Sequence, residues 1–230
     1  MKQPDASSDF AKSHRKRMRQ KVLTNGASSL SDMEVLEMAL YSAMPRSDNK
    51  PVIKDLFNRF KTIGAVVHAS ETDLQTIPKV GDTVIANLHI LAEISVRIAK
   101  DAVKNTSIFD NWPAVERFCI TKLSHSEVEM FLVLFLDAQN RLIEEAILSE
   151  GTTDRTAIYP KELVKMTVRA NASSVIIVHN HPSHDMRASS ADIQVTKQIK
   201  QALETIQVRL HDHLIVAGTQ VVSFKSLGLL

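Results

Sequence analysis

The stretch VIIVHNHPSHDMRASSADIQVTKQ, Val175 to Gln198, sets three histidines, two aspartates and three serines behind a run of four aliphatic residues. The apolar run reads as a buried strand, and SSADIQVTKQIKQALETI after it as a long amphipathic helix. Successive strand side chains point to opposite faces, so His179 and His181 project to one side while Asn180 points away. Two imidazoles on a rigid strand end are half of a metal site. Asp192, in the first turn of the following helix, is the natural third ligand. Three protein ligands leave one position of a tetrahedral Zn²⁺ open to water, whose pKa can fall to roughly 7. Ordinary readings compete with this one. His-x-His arises often by chance, and Ser189-x-x-Asp192 is also a capping box whose acid the helix dipole favours. Both can hold together, because a first-turn acid can face a metal while its serine caps the backbone.

The surrounding residues place this unit in a sheet. EMFLVLFLDAQNRLIEEAILSEG reads as two strands, Met130 to Asp137 and Arg141 to Leu148, joined by a turn at DAQN. YPKELVKMTVRANAS gives a helix with Pro160 near its start, and VRLHDHLIVAGTQVVSF gives two more strands. Strands interleaved with helices predict an α/β (α+β) fold, a mixed sheet flanked by helices.

Upstream of about Asp101 the pattern is helical instead. LSDMEVLEMAL offers Ser31 as N-cap, Glu34 three residues on, and Leu30 to staple onto Val35. Pro51 opens PVIKDLFNRFKTI, which Gly64 is expected to end. ASETDLQTIPKVGDTVIANLHILAEISVRIAK reads as helix, tight turn and helix, the layout of a helix-hairpin-helix whose turn amides can face a DNA phosphate. Only Gly81 is present there, and Lys79 stands where a second glycine would let a backbone approach. KNTSIFDNWP, 104 to 113, is read as the domain connection. The expected division is therefore a helical N-terminal domain over 1–103, with a flexible basic start, and a metal-site domain over 108–230.

Composition bounds these readings. A chain of 230 residues at 44% hydrophobic content buries a real core. No apolar run approaches the roughly 20 residues of a membrane span, and the N-terminus lacks a signal-peptide core, so a soluble cytoplasmic protein is expected, with no membrane partner. Cys119 is the single cysteine, read as a small buried hydrophobe, and any metal must rely on histidine, carboxylate or water. Net charge is only +2, yet KSHRKRMRQK at 12–21 concentrates cations. Such a run is either a solvated tail or a phosphate contact.

At this point the residues resemble a known family. H-x-H, seven residues, S, two residues, D is the JAMM (MPN) metalloprotease signature, here His179-Asn180-His181, Ser189 and Asp192. FLDAQNRLI, GTTDRTAIYPKELVK, HNHPS, DHLIVAG and VSF more closely resemble the RadC family, a JAMM-fold group of bacteria, over about residues 15–230. The resemblance implies that His179, His181 and Asp192 bind Zn²⁺. It further implies that Ser189 donates to the developing oxyanion or orients the site. A glutamate must also move the proton of the attacking water. Glu129, opening the first strand, matches best; Glu162 and Glu145 are weaker alternatives. Where the family continues HNHPS with glycine, this chain has His184, which either reshapes the loop or adds an imidazole. Asp212-His213 has no role in the motif and is read as a structural hydrogen-bonding pair, or as a contributor to the site from behind the ligands.

The leading expectation is a zinc-dependent hydrolase, a metallopeptidase cutting an amide or isopeptide-like bond in a peptide or protein substrate. The rival is a DNA-associated repair or recombination module, gripping DNA through its basic helical N-terminal region, with a vestigial or phosphodiester-cleaving metal centre. A non-catalytic scaffold is a third option, but no ligand of the motif is lost.

Overall fold

The computed structural model describes residues 6–45, 47–104, 106–151 and 159–230, without the side chains of 6–12 and 150. It comprises two compact units, 1–94 and 95–230. The expected flexible start falls partly on residues 1–5, outside the described residues; the rest of it belongs to helix α1, Ala6–Asn25.

The first unit is helical. Ser31 caps α2 (Asp32–Ala39) in a full capping box, its hydroxyl accepting from the Glu34 N–H while the Glu34 carboxylate accepts from the Ser31 N–H. Helix α3 (Lys50–Phe60) ends earlier than Gly64. Lys61 takes a left-handed φ of 71° and closes it, and Gly64 lies inside the short α4, Ile63–Val67, capped by Thr62. Helix α5 (Glu71–Gln75), capped by Ser70, leads through the turn into α6, Asp82–Asp101. Lys79 sits in that turn at φ 68°, so the backbone takes the glycine-type conformation without the glycine. Leu36, Leu40, Ile53, Leu56, Val66, Leu74 and Leu88 form the buried centre of this unit.

The second unit is a five-stranded sheet between helices. Its strands are β1 (Met130–Leu136), β2 (Leu142–Glu150), β3 (Ser174–Asn180), β4 (Arg209–Ala217) and β5 (Gln220–Ser223). They lie in the order β2-β1-β3-β4-β5. Only β3 and β4 run parallel, joined by the crossover helix α9, Ser190–Glu204, as parallel pairing requires. On one face Leu132, Leu134, Ile176 and Val178 pack on Phe118 and Cys119 of α7, Trp112–Leu123. On the other, Phe131, Val133, Val175 and Ile177 pack on Leu163 of α8 (Pro160–Arg169) and on Ile199 and Leu203 of α9. Mixed sheet and flanking helices agree with the predicted class.

Helix α7 has no counterpart in the sequence reading. The units divide at Ile94/Ser95, within α6, rather than at 104–113. The physical reason is packing: Val96 and Ala99 of α6, then Val103, Ile108 and Trp112, all belong to the α7 face of the sheet core. No helix among the described residues is long and apolar enough to cross a membrane.

Candidate metal centre

The period of β3 delivers the two histidines. Val175 and Ile177 face α9, so His179 and then His181, just past the strand end, fall on that same side. Glu129, His179, His181 and Asp192 each offer one ligand atom, and all four atoms lie within 4.8 Å of one another. His179 Nε2 and His181 Nε2 are 2.9 Å apart. Asp192 Oδ1 is 3.3 Å from the former and Oδ2 3.6 Å from the latter.

Asp192 combines both placements its spacing allowed: it caps α9 and it faces the two imidazoles. Its N–H donates to Ser189 Oγ at 3.1 Å and its Oδ2 accepts from the Ser189 N–H at 2.7 Å, a complete capping box. The carboxylate still faces both imidazoles. Burial would raise its pKa, but contact with His181, the charge of His179 and the Ser189 hydrogen bonds outweigh that and hold it well below the ordinary carboxylate range. It is thus an anion in a largely dry place. Ser189 itself is exposed, and its hydroxyl proton is not used by the cap.

The rings are fixed from behind. His181 Nδ1 lies 2.6 Å from the Asp185 carbonyl oxygen. A carbonyl only accepts, so Nδ1 carries a proton and Nε2 faces the cluster. Arg187 orders that loop through its guanidinium contacts to the Asp185 carboxylate, at 2.7–3.1 Å. His179 Nδ1 lies 2.8 Å from His213 Nε2. Burial pushes His179 down to about 4, so its ring is neutral near pH 7. His181 is shifted upward, chiefly by Asp192.

This donor set fits a divalent cation. Two imidazole nitrogens and a carboxylate converging at such distances repel one another unless a proton or a cation stands between them. Imidazole and carboxylate together suit zinc-type ions.

Glu129 is half-buried at the edge of the same group. Burial raises its pKa, and Asp192 adds to the shift while His181 opposes it. Its backbone is held on both sides. The Gly151 N–H donates to its carbonyl at 3.0 Å. Beside it Asn180, the strand residue that points away from the histidines, clamps the start of β1. Asn180 Oδ1 accepts from the Met130 N–H at 2.8 Å and its Nδ2 donates to the Val128 carbonyl at 3.0 Å. Asn180→Ala strands both partners, and an unpaired fully buried group costs roughly 1–3 kcal/mol, with these half-buried ones at or below the low end. A loss of up to about 2 kcal/mol in chemical denaturation is therefore expected.

The alternative glutamates lie elsewhere. Glu162 is exposed on α8 and pairs with Lys165 at 2.8 Å. Glu145 is opposite Leu134, on the α7 face of the sheet, where it pairs with Lys100 and Lys122. His184 takes φ 60° where the family has glycine, and its ring packs 3.6 Å from the position a Cβ on Gly218 would take. It is outside the ligand group. Cys119 is fully buried, its thiol pushed up to about 12 by burial, a core residue as expected. Asp212 is structural: it accepts from the His213 and Lys225 N–H groups and from the Ser223 hydroxyl.

In the first unit the basic segment is partly consumed by the fold. Arg15 donates to the carbonyls of Met44, Pro45 and Ser47 at 2.7–2.8 Å. Lys21 pairs with Glu34 and His14 with Glu37, both at 2.9 Å.

A mixed sheet faced by helices, with two histidines at a strand end and an acid in the next helix's first turn, defines a JAB-type (JAMM) domain. Residues 109–229 match the family described as RadC-like JAB domain. The chain is 38% identical over 221 residues to a UPF0758 protein of Ruegeria pomeroyi, covering 96% of this chain and 99% of the relative. It is also 38% identical over 213 residues to a UPF0758 protein of Rhodobacter capsulatus, covering 93% and 100%. The chain belongs to the RadC family.

Proposed function

We propose that this protein is a zinc-dependent hydrolase of the JAMM type, a metallopeptidase acting on an amide bond of a peptide or protein. The convergence within 4.8 Å of four ligand atoms, from Glu129 just ahead of β1, His179 on β3, His181 just past it and Asp192 on α9, carries this reading. His179, His181 and Asp192 would hold the ion. When bound, zinc supplies Lewis acidity toward a carbonyl and acidifies water.

The chain's own groups do the rest. Glu129, its pKa raised by burial, accepts a proton from the attacking water as the O–C bond forms. It returns that proton to the leaving nitrogen as the C–N bond breaks. The free hydroxyl proton of Ser189 is available to the carbonyl oxygen as it gains charge. Apolar neighbours on the sheet keep the His179 side of the site dry: Phe131 stacks 6.0 Å from the His179 ring.

The test is metal analysis of the purified full chain combined with a peptide, isopeptide and nucleic-acid hydrolysis screen, with and without chelator. Chelator-sensitive peptide or isopeptide cleavage is expected. Cleavage of DNA with none of peptides overturns the assignment.

A further inference from the structure

We propose that His213 and Thr196 are positioning residues that lock His179 as its Nδ1–H tautomer, turning the Nε2 lone pair into the cluster. This inference rests on the metal-site reading above. One proton decides the direction of the whole chain of contacts. The Thr196 hydroxyl oxygen is 2.5 Å from the main-chain oxygen of Asp192 and 2.6 Å from His213 Nδ1. The carbonyl can only accept, so the single hydroxyl proton goes to Asp192. His213 Nδ1 must then carry its own proton and donate to Thr196.

The two nitrogens of the His213 ring meet a hydroxyl and an imidazole, not a carboxylate. Its ring is fully buried, 4.4 Å from Phe224 and 5.7 Å from Phe131 between centroids. The adjacent Asp212 carboxylate is occupied by Ser223 and two main-chain N–H groups. A neutral ring protonated at Nδ1 has a lone pair at Nε2. The 2.8 Å contact from that atom to His179 Nδ1 therefore requires His179 to donate. His179 Nε2 is left with its lone pair directed at His181 and Asp192. The circuit starts and ends on Asp192, whose carboxylate joins the cluster and whose carbonyl anchors the relay. Histidines that bind metal usually donate their other N–H in this way, to an acceptor that fixes tautomer and ring orientation. Here the acceptor is a second imidazole.

A local feature of β4 makes this reachable. Leu210 faces the α9 side and Leu214 the α7 side, although even spacing along a regular strand would put them together. The register shift between the 175/176 and 210/212 pairs leaves His211 as the extra residue, and the bulge turns His213 onto the α9 face.

The experiment uses the full chain. Long-range ¹H–¹⁵N spectra of the chelator-treated protein report ring tautomers, and both His179 and His213 are expected as Nδ1–H. In zinc competition against a chromophoric chelator, Thr196→Val is expected to bind about 10–100-fold more weakly than wild type, and Thr196→Ser, which keeps the hydroxyl, within about threefold. A merely structural threonine would alter stability without moving the tautomer or the affinity. An Nε2–H tautomer of His179 in the wild type overturns the proposal, as does equal zinc affinity of Thr196→Val and wild type. If wild type binds no zinc, it is the metal-site reading that fails, and the tautomer spectra still decide the relay.

Discussion

Alanine at either His179 or His181 is expected to abolish stoichiometric zinc in the purified protein, read by elemental analysis after chelation and reloading. Each histidine supplies one of two nitrogens that meet at 2.9 Å, and among the described residues no other imidazole belongs to the group. His184 is held against Gly218, and His213 is turned toward Thr196 and His179. The two variants differ in their effect on the fold. His179 is 1% exposed and packed against Phe131, so its removal also leaves a cavity and strands His213 Nε2. His181 is less buried, and its variant isolates the ligand role. Zinc retained at full occupancy in both would reject the ligand assignment.

Glu129→Gln should leave zinc content intact while lowering turnover about 10²–10⁴-fold, the range a positioned general base contributes. Glutamine keeps the size and a carbonyl oxygen but cannot carry the proton. The comparison with Glu162→Gln is informative, because Glu162 is exposed on α8 and paired to Lys165, and its variant should retain activity. An unchanged rate for Glu129→Gln on a substrate that wild type cleaves would remove Glu129 from the chemistry. Loss of zinc along with activity would make it a ligand instead.

The legible parts of this site are those set by local periodicity. His179 and His181 share a face because a strand alternates, and Asp192 is marked by the capping spacing from Ser189. Both readings of Asp192 rest on one geometry, so neither had to be discarded. Glu129 was different. Its place opposite the histidines depends on the β1–β3 register, Phe131 against His179, and only the family resemblance singled it out. Thr196 lies four residues after Asp192, one turn along the same helix face, but its role depends on His213 of β4, which no local signal brings near. His213 was named, but plain alternation along β4 would have turned it to the α7 side; a bulge is not visible as a period. Strand alternation shows only that Asn180 points away from the histidines; its clamp on β1 requires the neighbouring strand.

The same distinction runs through the fold. The capping boxes at Ser31 and Ser189 and the five strands were readable because their signals are short-range. Helix α7 was readable too, since Ala114, Val115, Phe118, Cys119 and Leu123 recur at helical spacing behind Pro113, yet its polar approach, 104–113, drew attention to itself as a linker. The early end of α3 at Lys61 had no glycine to announce it. Lys79, where a helix-hairpin-helix turn would carry a glycine, and His184, where the resembled family is expected to carry one, both sit at positive φ, so the backbone geometry persists without the expected residue.

The most direct measurement of the central claim is the zinc-edge X-ray absorption spectrum of the reloaded wild-type chain. A first shell of nitrogen and oxygen alone, with outer scattering from two imidazoles, is the predicted result. A sulfur contribution, or a shell with fewer than two imidazoles, would contradict it.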